Sequence, residues 1–137
     1  MSRSANSPVI APVIAPVIAI VDDDEAMRAA IESLVRSLDL GVATFASAGA
    51  FLASAVRSRV ACLITDVQMP GMSGLDLQRH LADSGNRMPV ILITAFPFDH
   101  IRQQAESDGA AGFFVKPFDA RLVIECIERA LVEKGNP

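Results

Sequence analysis

The sequence predicts an α/β fold, a doubly wound parallel sheet of five strands with helices on both faces. Three observations predict it. Strand-like apolar runs alternate with helix-like segments five times in succession. Two of the runs, Val60 to Thr65 and Pro89 to Thr94, are apolar almost throughout, as suits strands buried on both faces. The chain has 137 residues, 51% of them hydrophobic, enough for one core without disulfides.

The first strand is expected at Val17 to Val21. Asp24 can cap a first helix whose apolar positions are Met27, Ala30, Ile31, Leu34, Val35 and Leu38, a period of about 3.6 residues. Val42 to Ala46 reads as the second strand. Ser47 can cap a second helix carrying Phe51, Leu52, Ala55 and Val56. Val60 to Thr65 is the third strand, and Pro70, Gly71, Ser73 and Gly74 mark a loop after it. A third helix is expected from Gly74 to Asp83, a fourth strand at Pro89 to Thr94 and a more polar fourth helix from Phe98 to Ser107. Gly112 to Val115 is the fifth strand. The fifth helix runs from Asp119 to Glu133 on Leu122, Val123, Cys126, Ile127, Ala130 and Leu131. Alternation of this kind gives a parallel sheet covered on both sides, with right-handed crossovers.

Residues 1–15 form a leader that repeats Pro-Val-Ile-Ala from Pro8 onward. Only the last copy, Pro16 to Ala19, runs into the acidic cluster, so residues 16–134 are read as the domain and 135–137 as a tail. A period of four is too short for a solenoid, and a proline at every fourth position opposes a long central strand. The leader is expected to be a disordered arm or an accessory strand at a sheet edge.

The net charge of −4 argues against a nucleic-acid surface. Cys62 and Cys126 lie in apolar patterns and read as reduced core thiols. No Cys/His spacing suits zinc, and His80 and His100 read as surface residues. No apolar run reaches the roughly 18 residues of a membrane helix. Val9 to Val21 follows Arg3 in a faint echo of a signal peptide, but Pro12 and Pro16 interrupt it. A cytoplasmic protein without membrane contact is expected.

In doubly wound folds ligands bind at the carboxyl ends of the strands, at a topological switch point. The first strand ends at Asp22 and Asp23, the third at Asp66, the fourth at Thr94 and the fifth at Lys116. Three carboxylates in one pocket repel, and at least one should hold its proton unusually tightly unless a cation is present. A hard divalent ion such as Mg²⁺ suits one or two carboxylates plus a phosphoryl oxygen. A metal, a carboxylate nucleophile (Asp66), a lysine (Lys116) and a hydroxyl (Thr94) are the parts of a phosphoryl-transfer site. Taken singly, the acidic run is a solvated helix start, Thr94 a strand-end threonine and Lys116 a surface lysine. Their conjunction at one sheet edge carries the reading.

Several segments resemble the receiver domains of bacterial two-component systems. Ile20-Val21-Asp22-Asp23-Asp24-Glu25 resembles the acidic pair of that family. The stretch Leu63-Ile64-Thr65-Asp66-Val67-Gln68-Met69-Pro70-Gly71-Met72-Ser73-Gly74 resembles its phospho-acceptor strand and loop. Ile93-Thr94-Ala95 and Gly112-Phe113-Phe114-Val115-Lys116-Pro117-Phe118 resemble its threonine and lysine segments. Separations of 43, 28 and 22 residues, from Asp23 to Asp66, to Thr94 and to Lys116, fit as well. The pattern is most similar to receivers of the nitrogen-fixation-regulator type.

The resemblance implies a flavodoxin-like (βα)5 sheet of order 2-1-3-4-5. It implies that a sensor histidine kinase or phosphotransfer protein donates a phosphoryl group to Asp66. Mg²⁺ (or Mn²⁺) would be held by Asp23, Asp66 and the backbone carbonyl of Gln68, with Asp22 acting through water. Lys116 and Thr94 would assist, and the bond to Pro117 would be cis. Thr94 and Phe113 would then move, changing the face built from the fourth helix, fifth strand and fifth helix, through which two copies could pair. Such a domain catalyses only its own phosphorylation and dephosphorylation and is not otherwise an enzyme. Direct nucleic-acid contact is not expected.

Two departures from the family pattern stand out besides the leader. Phe96 sets a bulky ring beside the site and is expected to shield the acyl phosphate from water. Phe113 lacks a hydroxyl, so its part must rest on packing. A haloacid-dehalogenase-type phosphatase would use Asp22 to Asp24 but leaves Asp66 and its loop unexplained. A flavodoxin-like cofactor binder would need a first loop that attracts phosphate, and this one is acidic. A degenerate receiver serving only as a docking module would not need the full set of Asp22, Asp23, Asp66, Thr94 and Lys116. A stand-alone regulator is expected rather than a receiver cut from a longer one.

Overall fold

The apolar runs form strands at Val17–Val21 (β1), Gly41–Phe45 (β2), Val60–Asp66 (β3), Val90–Thr94 (β4) and Gly112–Val115 (β5). Between and after them lie helices at Glu25–Arg36 (α1), Ala48–Leu52 (α2), Gly74–Asp83 (α3), Asp99–Ser107 (α4) and Ala120–Gly135 (α5). These elements come from a computed structural model that describes residues 15–135. The expectation for the leader therefore lies outside the described residues, except for Ala15.

All strand pairs are parallel, in the order β2-β1-β3-β4-β5. Strands are added on one side of β1 for β2 and on the other for β3 onward, and this reversal of strand order between β1 and β3 is the switch point foreseen for the site.

Helix starts follow the sequence closely. The Asp24 carboxylate accepts from the N–H groups of Ala26 and Met27, and Ser47 caps α2. Ser73 and Asp76 form a reciprocal capping box at α3. Strand β4 starts at Val90 because Pro89 has no N–H, although its carbonyl still accepts from Leu63 at 2.9 Å.

The second helix departs from the expectation. It ends at Leu52, and Ala55–Arg59 forms a separate 3-10 turn. Ser54 is the cause. Its hydroxyl accepts from the Val56 N–H at 3.1 Å, restarting the chain in a new turn. Arg57 donates to the Leu52 carbonyl at 3.1 Å, satisfying an end that the break leaves open.

Two apolar layers sandwich the sheet. Ala19, Val21, Leu63, Leu92, Phe51, Leu77 and Leu81 build the one under α2, α3 and α4. Ile18, Ile20, Ile64, Ile91, Ile31 and Ile127 build the one under α1 and α5. Each of the larger side chains among them, fully buried, contributes about 1.5–3 kcal/mol. Cys62 and Cys126 sit in this second layer as free, buried thiols. Burial, aided by Cys126, pushes the Cys62 thiol up to about 12, so it carries no thiolate at neutral pH.

Strand alternation now places the rim residues. Asp22, Asp66 and Lys116 continue the rows Ile18-Ile20, Cys62-Ile64 and Phe114 on the α1/α5 side. Thr94 continues the row Val90-Leu92 on the opposite side.

Candidate functional site

Asp22, Asp23 and Asp66 offer carboxylate oxygens that all lie within 4.8 Å of one another. Asp22 and Asp66 are buried, at 1% and 7% exposure, while Asp23 is exposed to solvent. Lys116 reaches over from the end of β5. Its Nζ stands 3.1 Å from Asp22 Oδ2 and 3.4 Å from Asp66 Oδ2. Three carboxylates against one ammonium leave two formal negative charges, which one divalent cation would neutralise. The donor set is all oxygen and open to solvent on the Asp23 side, as a hard hydrated ion requires.

Local bonds hold these groups in place. The other oxygen of Asp22 accepts from the Asp24 N–H at 2.9 Å, and Arg28 donates to the Asp22 carbonyl at 2.7 Å. The Asp66 backbone is fixed from behind. The Gly74 N–H donates to the Val67 carbonyl at 2.9 Å, and a Cβ on Gly74 would collide with the Asp66 carbonyl. The backbone N–H of Lys116 donates to the Thr94 carbonyl at 2.8 Å, and the Lys116–Pro117 peptide is cis.

Burial pushes the Asp66 carboxyl above the usual carboxylate range. The Asp22 charge adds to this, and Lys116 and the Val67 N–H offset part of it. Burial of Lys116 works against its charge, but Asp22 and Asp66 outweigh burial and raise its ammonium above the usual lysine value. For Asp66, the folded state binds the proton more tightly than the unfolded chain does. Its contribution to stability therefore falls as pH rises from the ordinary carboxylate pKa through the raised one. Asp66→Asn is expected to stabilise the metal-free protein at neutral pH, read as a higher melting midpoint. The gap should close as pH falls below the carboxylate range. Thermal melts of both proteins across pH test this, and a less stable Asp66→Asn protein at neutral pH would refute it.

The other anticipated residues surround this cluster. Thr94 is fully buried, and its hydroxyl donates to Gln68 Oε1 at 2.5 Å while accepting from the Phe96 N–H at 2.9 Å. The Phe96 ring is 54% exposed and stacks on Phe98, with centroids 6.4 Å apart. Phe113 is half-buried on the α3/α4 side, and the Arg102 guanidinium lies 4.6 Å from its ring centre. Pro117 is exposed beside the lysine. The side chain of Gln68, Arg28 and Arg102 take parts that the sequence reading did not assign. The helical period could mark Arg28 and Arg102 as polar-face positions but not name their partners.

A parallel doubly wound sheet whose switch-point rim gathers three aspartates, a bridging lysine and a buried threonine defines a class of α/β proteins with an acidic site at the carboxyl ends of the strands. This chain belongs to the response regulator receiver domain family, whose profile matches residues 18–128. It is similar to the response regulator protein TodT of Pseudomonas putida, 45% identical over 112 residues, 82% of this chain and 49% of TodT. It is also similar to the transcriptional regulatory protein FixJ of Azorhizobium caulinodans, 38% identical over 82% of this chain and 53% of FixJ. The chain spans about half the length of the curated relatives it matches. Among solved structures, the crystal structure of FixJ-N superposes with a TM-score of 0.77 at 38% identity, covering 85% of this chain and 93% of that one. The chemotaxis protein CheY4 of Vibrio cholerae gives 0.77 at 25% identity, over 85% and 99% of the two chains. The receiver resemblance and the sheet order are thereby shown, and receivers of the nitrogen-fixation-regulator type stand among the relatives, as expected. Among the described residues no helix is long and apolar enough to cross a membrane.

Proposed function

We propose that this chain accepts a phosphoryl group on Asp66 from the phosphohistidine of a sensor histidine kinase or phosphotransfer protein. An Asp66 carboxylate oxygen forms the new O–P bond as the N–P bond to the donor imidazole breaks, and the imidazole leaves with the electron pair. Little covalent chemistry falls to the protein, so positioning and charge stabilisation do most of the work. Lys116 moves its ion pair from the carboxylates to a phosphoryl oxygen. Asp23, Asp66 and the Gln68 carbonyl would hold Mg²⁺, with Asp22 acting through water. The ion, when bound, neutralises charge on the acceptor and on the incoming group. Thr94 donates its hydroxyl to a second phosphoryl oxygen, Phe113 repacks, and the α4-β5-α5 surface changes in response. The chemistry is confined to the chain's own phosphorylation and dephosphorylation.

The observation that carries this reading is the meeting of Asp22, Asp23 and Asp66 within 4.8 Å under the Lys116 ammonium. A dehalogenase-type phosphatase would leave Asp66 idle, and a docking module would need none of these contacts. Incubation with a small phosphodonor and Mg²⁺, read by intact mass, tests the reading. The wild type should gain one phosphoryl mass and Asp66→Asn none. Equal labelling of the two would reject Asp66 as acceptor.

Phe96 is the residue we propose to slow hydrolysis of the resulting acyl phosphate, folding over it from its exposed resting position. Phe96→Ala should shorten the aspartyl-phosphate lifetime by about 3- to 10-fold, in keeping with roughly 1 kcal/mol for a lost ring contact. An unchanged decay rate, followed by mass after removal of donor, would dismiss the idea.

A further inference from the structure

The Thr94 hydroxyl has one proton, and Gln68 Oε1 takes it at 2.5 Å. The bond joins the loop after β3 to the end of β4, and the fully buried Thr94 oxygen also accepts from the Phe96 N–H. A phosphoryl oxygen on Asp66 is an acceptor only, so it needs that same proton. The two bonds cannot exist together.

We infer that Gln68 is a positioning residue whose carboxamide holds Thr94 away from the reacting centre and so sets how readily the site retains an anion on Asp66. This rests on the reading of Asp66 as acceptor. The role belongs to the side chain of Gln68 and is separate from any part played by its backbone carbonyl. A methionine at position 68 keeps the length and volume of the side chain but offers no comparable acceptor. It should free Thr94 and favour the anion-bound state. Exchange of one neutral hydrogen bond implies a change of about 2- to 10-fold in affinity.

The test is calorimetric titration of the full chain with beryllium fluoride at saturating Mg²⁺, beryllium fluoride serving as a tetrahedral phosphoryl stand-in on a carboxylate. Four proteins are compared: wild type, Gln68→Met, Thr94→Val and the double variant. Gln68→Met should bind about 2- to 10-fold more tightly than wild type and should have no effect in the Thr94→Val background. A general packing effect of the substitution would survive in that background. Gln68→Ala repeats the comparison should the methionine variant fail to fold. Equal gains in both backgrounds would mean that Gln68 acts independently of Thr94, and the inference falls. Unchanged or weaker binding by Gln68→Met also overturns it. No binding by any of the four proteins would instead refute the Asp66 reading, and this inference with it.

Discussion

Replacing Asp22 and Asp23 together with asparagine should lower Mg²⁺ affinity by about 100-fold or more and slow phosphoryl uptake on Asp66 by about 100- to 1,000-fold. The carboxamide introduced by Asp22→Asn keeps an acceptor oxygen for the Asp24 N–H, which Asp22 binds at 2.9 Å, so the start of α1 is preserved. Asp23→Asn alters a side chain already exposed to solvent. The loss should therefore be one of charge, with the fold intact. Calorimetric titration with Mg²⁺ reads the affinity, and the time course of mass gain with a phosphodonor reads the rate. Normal Mg²⁺-dependent uptake by the double variant would show that the cation is held elsewhere.

Lys116→Ala should be the most destabilising single change at the rim. It strips the common counter-ion from Asp22 and Asp66, whose side chains are only 2% and 8% exposed. Removing one partner of a buried ion pair typically costs about 3–5 kcal/mol, because the remaining charge is left unpaired. The deficit has a definite pH dependence. It should shrink as pH falls and Asp66, whose carboxyl already sits above the usual range, takes up its proton. Adding Asp66→Asn to the lysine variant should restore part of the loss, since one orphan charge disappears. Denaturant unfolding at several pH values checks both points. A lysine variant as stable as wild type at neutral pH would mean that the ammonium does not offset the buried carboxylates.

Much of this architecture could be read directly. The strands at Val17–Val21 and Gly112–Val115 and the helix at Gly74–Asp83 form over the expected residues, because apolar content, glycine and capping serines agree there. The convergence of Asp22, Asp66 and Lys116 was legible because parallel strands put every carboxyl end on one rim. The break at Ser54 was not, since Phe51, Leu52, Ala55 and Val56 keep a helical period across it. Which partner a polar side chain selects was also hidden. Gln68 meets Thr94 across 26 residues of chain, and Arg102 meets Phe113 between two elements. Nothing local in the sequence encodes such pairings; they arise when separate elements dock.

Gly74 has a wider consequence. The loop that leaves Asp66 is tied back on itself where the Gly74 N–H meets the Val67 carbonyl, with no space there for even one more methyl group. A loop knotted shut at its root shelters its base from its tip. Pro70, out in solvent, can change without disturbing where the acceptor stands, whereas the neighbouring Gly71 is held to glycine by its own positive φ of 78° rather than by lack of space. Tolerance and intolerance to change are thus separated by a few residues, and the boundary is a single hydrogen atom on one α-carbon.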